Sequence, residues 1–455
     1  MLAASAITEK YRCPGEAYRI TESVHLSRLA AFYSKCRNCP HAPRADGVVA
    51  NVDDETGAAI VRLPQSSLFT IEGVRGKYLN ELTRSNSAEI AGAMASCLWD
   101  LALVVPVGVP PSGGHSVEAF ERPPEGGTST DEGIRILAPA RPGPCVVLAH
   151  DERPSSPDVV TGVGQALRRM GCLVVDVGLA TRPALLFAIN HLQAAGGVHV
   201  TGAGCDPGWI GLDLLGRDGI PCSSPGQLDL IAARYHGGYS RPSRRAGSQR
   251  AFQALVPYQA GLWKHFHALR PLKIAWACPS RAVQDVFQHI FRKLACRLIP
   301  VETPTRSRSP GDTADPDVAR TSLAVRTARA DLGLLIEEDG EQCTFFDDRG
   351  MIVAPWKLAC LLAEYTAADR PAHAAVVLPA AWKERPIGTR ATFVSQPNRE
   401  HMTLALRREQ LAFGADGQGR YWFADPYPAC DALLTLVHLL QVLSRSDTPF
   451  SEVVA

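Results

Sequence analysis

The sequence predicts an α/β protein: three consecutive units, each a mostly parallel sheet covered by helices, after a small cysteine-containing N-terminal extension. Three observations predict it. Short apolar, β-rich runs alternate with helical patterns along three successive stretches. The runs are apolar throughout rather than at every second residue, which marks strands buried on both faces of a parallel sheet. Pro- and Gly-rich segments separate the stretches. The 455 residues agree with about three domains of roughly 150 residues each.

The elements follow in order. In the first unit, residues 145–149 (CVVLA), 172–177 (CLVVDV) and 197–200 (GVHV) read as strands. A helix over 157–170 has Ser155 or Ser156 as N-cap and Gly171 as its stop, and a second helix covers 183–193. Strand twist makes the crossovers right-handed. The second unit places strands at 272–277, 297–301 and 332–336, with helices at 281–294 and about 317–329. The third has strands near 374–379 and 390–394, a helix near 399–410 and a closing helix near 430–444. The expected boundaries are 1–60 for the extension, 61–250 for the first unit with an insertion at 105–143, 251–355 for the second and 356–455 for the third. Residues 236–250 read as a solvated linker, whose Arg241, Arg244, Arg245 and Arg250 could also touch an anion.

Composition excludes several classes. Lys+Arg is 47 against Asp+Glu 46, a net charge of +1, which argues against a nucleic-acid or anionic-membrane partner. No apolar run reaches the ~18 residues of a membrane helix. The best runs, 97–110 and 432–443, contain Asp100 and His438. The opening MLAASAITEKY is too short an apolar stretch for a signal peptide. Thirteen cysteines, an odd number scattered in apolar segments such as those of Cys145, Cys172, Cys278, Cys296 and Cys360, read as reduced thiols of a cytoplasmic protein.

Three segments could carry chemistry. Strand 197–200 runs into Thr201-Gly202-Ala203-Gly204-Cys205-Asp206-Pro207, where small residues would let backbone N–H groups meet an anion; a plain Gly-rich turn is the other reading. Strand 332–336 runs into Glu337, Asp339 and Glu341. In extended chain, spacing by two puts three carboxylates on one side, a set suited to Mg²⁺; a solvated acidic turn is the alternative. Near the N-terminus, Cys13, Cys36, Cys39 and His41 could form a Cys₃His zinc site, with His25 competing as a ligand and unligated thiols as the alternative. Gly162-Val163-Gly164 lies inside a predicted helix and lacks the third glycine of a dinucleotide loop. No Gly-x-Ser-x-Gly elbow occurs, and His191 and His438 sit singly on helical patterns.

Together the motifs resemble one family, the α-D-phosphohexomutases: phosphomannomutases, phosphoglucomutases and phosphoglucosamine mutases. Phe69-Thr-Ile-Glu72-Gly73-Val74-Arg75-Gly76 is similar to the family's FGTDGIRG. His150-Asp151-Glu152-Arg153-Pro154-Ser155-Ser156-Pro157 is similar to GRDTRxSSP. The run Val175 to Ala184, followed by Gly196 to Val200, resembles the approach to the phosphoserine loop. Residues 330–353 align without a gap to ADLGIAFDGDADR, and Phe413 to Arg420 is similar to the sugar loop GEESGH. The likeness covers about residues 68–455.

The resemblance implies transfer of a phosphoryl group from a serine to a hexose phosphate, with Mg²⁺ on three acidic residues and a basic proton shuttle. It implies roles for Arg75, Arg153, Asp151 and Ser155, which are retained. The phosphoserine position falls on Gly204, in a loop one residue longer than the family's, with Cys205 and Asp206 at the neighbouring positions. The family's lysine falls on Asp213, the metal set becomes Glu337, Asp339 and Glu341, and the adjoining arginine becomes Gln342. In the sugar loop Asp416, Gln418 and Arg420 take the places of Glu, Ser and His. The fourth domain is expected to be absent, since helix 430–444 and residues 449–454 resemble the end of the third.

Losing the phosphoryl carrier removes the route rather than a fraction of it. An anion at 213 in place of a cation reverses a contact on the order of 4 kcal/mol at 4 Å and an effective dielectric of about 20. The leading expectation is a phosphohexomutase-fold protein with lost or much reduced mutase activity that binds a hexose phosphate or a protein partner. Two alternatives stay open: a working mutase using Cys205 or Asp206 as nucleophile, and a non-catalytic interaction protein organised by a metal on its N-terminal Cys/His segment.

Overall fold

The computed structural model describes residues 9–12, 18–21, 24, 28, 68–104, 143–308, 312–369, 375–395 and 397–455. The chain divides into two compact units, Met1–Ser66 and Ser67–Ala455. In the first unit Glu9–Tyr11 pairs antiparallel with Ile20–Thr21, and Ile20 is buried. The expected zinc ligands Cys13, Cys36, Cys39 and His41, and residues 105–142 of the expected insertion, lie outside the described residues.

The second unit carries three sheets, here called lobes. The first lobe contains β1 (Phe69–Thr70), β2 (Gly73–Lys77), α1 (Arg84–Val104), β3 (Cys145–His150), α2 (Ser156–Arg169), β4 (Leu173–Leu179), α3 (Arg182–His191), β5 (Gly196–Val200), β6 (Trp209–Leu215), α4 (Gln227–Gly237) and β7 (Gln249–Ala251). Its strand order is β1-β2-β6-β5-β3-β4-β7. The β5–β3–β4–β7 half is parallel, whereas β6 runs back antiparallel to β5 and pairs with β2. The reversal makes the 201–208 segment a hairpin-like loop at the carboxyl end of β5. Helix α2 buries Val159, Val163 and Leu167 against the sheet. Gly162 lets α1 approach: a Cβ there would stand 2.6 Å from the Arg84 side chain. That glycine serves packing, not a nucleotide.

After α5 (Leu255–Trp263), the second lobe holds β8 (Lys273–Ala277), α6 (Arg281–Phe291), β9 (Arg297–Val301), α7 (Pro316–Ala328), β10 (Leu332–Ile336) and β11 (Cys343–Phe346), ordered β9-β8-β10-β11. Only the edge strand β11 is antiparallel. The third lobe holds α8 (Pro355–Asp369), β12 (Val376–Pro379), β13 (Ala391–Val394), α9 (Arg399–Arg408), β14 (Phe413–Ala415), β15 (Tyr421–Phe423), β16 (Ala429–Cys430), α10 (Ala432–Leu443) and α11 (Phe450–Val453), ordered β13-β12-β14-β15-β16. The lobes share one apolar core, in which Leu185 and Ile189 of α3 join Tyr258, Trp276, Phe287 and Leu436. Within it Trp276 stacks on Phe287 at 4.3 Å, and Phe287 on Phe291 at 4.5 Å.

No helix among the described residues is long and apolar enough to cross a membrane. Phe287 is fully buried at the centre of the ring stack. Phe287→Ala is therefore expected to lower stability by about 3–5 kcal/mol, read as a lower urea midpoint at unchanged slope.

Candidate active site

Parallel strands open their carboxyl ends onto a common cleft, the usual place for a ligand in such sheets. The loop after β5, the turn after β10 (337–342) and Arg420 of the β14–β15 turn border it. The cavity they enclose measures about 180 Å³. From the first lobe it is lined by Thr70, Glu72, Arg75, Ala203 and Gly204. The second lobe adds Arg308, Glu337, Asp339 and Gln342, and the third adds Arg399 and Arg420. Arg75, Gly204, Glu337, Asp339 and Arg420, all expected from the sequence, thus meet in one place.

The 201–208 loop is held from beneath. Asp151 accepts from the amides of Gly202 (2.9 Å) and Arg153 (3.1 Å) and from the Ser156 hydroxyl. Arg153 donates to the carbonyls of Asp206 (2.6 Å), Trp209 (3.1 Å) and Cys205 (2.9 Å). It also meets the Glu338 carboxylate at 2.8 Å. Arg153 is thereby a buried support, not a free anion receptor. Gly204 sits at φ +80°, and a Cβ built there would meet nothing within 4 Å. The loop thus turns bare backbone to the cavity. Neither Cys205 nor Asp206 lines it. Burial pushes the Cys205 thiol up, partly offset by Arg75 and Arg153, so less thiolate forms. The Asp206 carboxylate accepts from the Ser307 amide at 3.1 Å.

Asp213 sits within β6 and is buried. Arg75 meets it at 2.7 Å and Arg182 at 3.4 Å. Burial pushes its carboxyl up, but Arg75 and Arg182 more than offset this and hold it below the usual carboxylate range.

Residues 337–342 form a turn closed by the Glu337 amide on the Gln342 carbonyl, with Gly340 at φ +73°. They are not the extended segment expected. Glu337 consequently turns to Arg308, whereas Asp339 and Glu341 share Arg399. Glu337 pairs with Arg308 at 2.8 Å. Asp339 pairs with Arg399 at 2.8 Å and with Arg420 at 3.5 Å. Glu341 pairs with Arg182 at 2.7 Å and with Arg399 at 2.6 Å. Among the described residues no three His, Cys, Asp or Glu side chains are grouped to hold one metal ion. The acidic residues present here do not fit Mg²⁺, which requires near-octahedral oxygen ligation.

In the third lobe Asp416 accepts from the amides of Gln418 (2.7 Å) and Arg420 (3.1 Å) and so shapes the turn. Gln418 is exposed, and its carbonyl accepts from Gln342 Nε2 at 2.7 Å. Arg420 alone of the three reaches the cavity. Glu72, Arg182, Arg308 and Arg399 are the site residues that the sequence reading missed. Arg182 and Arg399 each occupy the first position of a helix, behind the caps Thr181 and Asn398. A cation is disfavoured there by the helix dipole, and that anomaly was the available signal of an acidic partner.

Residues 132–240 match the family model of phosphoglucomutase/phosphomannomutase alpha/beta/alpha domain I. A phosphomannomutase/phosphoglucomutase of Pseudomonas aeruginosa is 26% identical over 236 residues, 51% of this chain and 50% of that protein. The phosphohexose mutases of Xanthomonas campestris are 23% identical over 332 residues, covering 71% of this chain and 74% of theirs. The crystal structure of a phosphoglucomutase/phosphomannomutase family protein from Burkholderia thailandensis superposes with a TM-score of 0.65 at 19% identity, covering 86% of this chain and 79% of that one. The chain has the α-D-phosphohexomutase fold, and residues 132–240 are similar to the first domain of that superfamily. Its first relative is matched over half of that protein's length, and the Burkholderia structure bears on the fold alone.

Within this superfamily fold, Glu338 sets an unusual pH response. Burial raises its carboxyl to about 7, with Arg153 offsetting part of the effect. The folded value stands above the unfolded value of 4.5, so the charged form opposes folding. Stability from this group is full below the unfolded value and declines as pH rises toward 7, by on the order of 3 kcal/mol. Glu338→Gln is expected to flatten this decline in urea melts recorded from pH 5 to 8.

Proposed function

We propose that this chain binds a hexose phosphate in its central cleft and has lost efficient phosphoryl transfer. The carrying observation is Gly204: where the family resemblance places the phosphorylated serine, the loop offers Ala203 and bare Gly204 to the cavity and no hydroxyl. Three further features support the reading. Arg153 is engaged by loop carbonyls and by Glu338. The anion at 213 is committed to Arg75 and Arg182. The acidic turn is neutralised by guanidinium groups from all three lobes. The cavity still suits binding: Arg75, Arg308 and Arg420 line it beside their carboxylate partners and have further N–H groups for a phosphate, and the carboxylates among them can accept from sugar hydroxyls. We read the lobes as domains I (61–250), II (251–355) and III (356–455) of the phosphohexomutase plan.

Glucose, mannose and glucosamine phosphates are the candidates, by analogy with the relatives' names. Each is expected to raise the melting temperature of the full chain, and saturation at 100 times Kd corresponds to about 2.7 kcal/mol. Incubation with a hexose 1,6-bisphosphate is expected to leave the intact mass unchanged, with no adduct of about 80 Da, and a coupled assay of glucose 1-phosphate isomerisation to stay at background. An adduct on Cys205 or Asp206 with turnover would replace this reading by that of an active mutase with a different nucleophile. Failure of all these sugars to bind would remove the hexose phosphate altogether.

A further inference from the structure

The acidic turn is not left without a cation. We propose that Arg399 is the resident cation of the cleft: its guanidinium neutralises the carboxylates that the family resemblance assigns to a divalent ion, and clasps the three lobes together. Each of its nitrogens meets a different carboxylate. Nη1 reaches Glu72 of the first lobe at 2.9 Å, while Nη2 reaches Asp339 at 2.8 Å and Nε reaches Glu341 at 2.6 Å in the second. The side chain is only 5% exposed. Its backbone amide also donates to Glu72 at 2.9 Å.

The surrounding bonds fix this position. Asn398 caps α9 by accepting from the His401 amide at 2.8 Å, which sets where the helix starts. The next residue, Glu400, accepts from the amides of Ser223 (2.7 Å) and Gln227 (3.2 Å). Two consecutive residues of the third lobe are thus fastened to the first. The remaining lone pairs are used as well. Asp339 Oδ1 accepts from the amides of Glu341 (2.9 Å) and Gln342 (3.0 Å), and Glu341 accepts from Arg182 on its other side. A hard cation would have to displace a buried, fork-shaped donor that is always charged. A guanidinium differs from a metal ion in two ways that matter: it cannot dissociate, and it cannot accept an oxygen into a coordination sphere. Glu72, Asp339 and Glu341 are therefore neutralised before any ligand arrives. The proposal does not rest on hexose phosphate binding, and its test contains no sugar.

Manganese binding to the full chain can be followed by electron paramagnetic resonance, and chain dimensions by small-angle X-ray scattering. The wild type is expected to take up no Mn²⁺ that depends on Asp339 or Glu341. Arg399→Ala removes the guanidinium shared by Glu72, Asp339 and Glu341, leaving them only Arg182 and Arg420, and is expected to bind Mn²⁺ at least about tenfold more tightly than the wild type, or to expand as the lobes separate. Arg399→Lys, which retains a charge, serves if the alanine variant does not fold, and is expected to expand because one ammonium cannot span three carboxylates. Wild-type Mn²⁺ binding that Asp339→Asn and Glu341→Gln abolish would overturn the proposal. So would an Arg399 variant that neither gains manganese nor changes dimensions.

Discussion

Arg399 crosses from the third lobe to carboxylates of the other two, and a charge buried in that way constrains everything near it. An isolated buried guanidinium is prohibitively costly, so each of its nitrogens requires an acceptor, and each acceptor requires a second partner for its remaining lone pairs. Glu341 finds that partner in Arg182, Arg182 meets Asp213, and Asp213 meets Arg75. The chain of ion pairs runs from one lobe to the next without a break. Removing one member would strand its neighbours, so such networks are held together as units. The turn after β10 and the start of α9 take their positions from this network, and the loop after β5 borders the same cavity.

A scaffold that in its relatives' names is tied to mutase chemistry is organised here around fixed side-chain charges. Glu338 reaches from the turn after β10 to Arg153 beneath the Gly204 loop, which ties the second lobe to the first at the point where the resemblance would place a phosphorylated serine. Asp213 would repel a bound phosphate if it faced the cavity alone, but two guanidinium groups neutralise it. Arg308 supplies a guanidinium beside Glu337 from a different element, held there by the buried Asp317. The guanidinium groups of Arg308 and Arg399 thus place permanent charges beside the acidic turn, where the family resemblance leads one to expect an exchangeable ion.

The sheets were largely legible because their strands are continuous apolar runs. CVVLA, LGLLI and all but the first residue of CLVVDV lie within the observed β3, β10 and β4, and the helices begin close to their caps. Strand β6 was not legible, since Gly211 and Asp213 interrupt its apolar pattern, and only pairing with Arg75 and Arg182 makes a buried aspartate tolerable there. The acidic turn was found by composition but misjudged in shape, because Gly340 at positive φ bends a segment whose spacing suggested an extended one. The arginines escaped for a different reason. Arg182 lies 159 residues from Glu341, and Arg399 lies 327 from Glu72, so no local pattern joins the partners. Their only local trace was a cation at the disfavoured end of a helix.

We propose that the Arg399 guanidinium occupies the place of a metal ion. Crystals of the full chain soaked in manganese, with data collected for anomalous scattering, address it directly. No anomalous peak is expected beside Glu337, Asp339 or Glu341, and Arg399 is expected to lie between Glu72, Asp339 and Glu341. A peak ligated by those acidic residues, with Arg399 turned away, would contradict it.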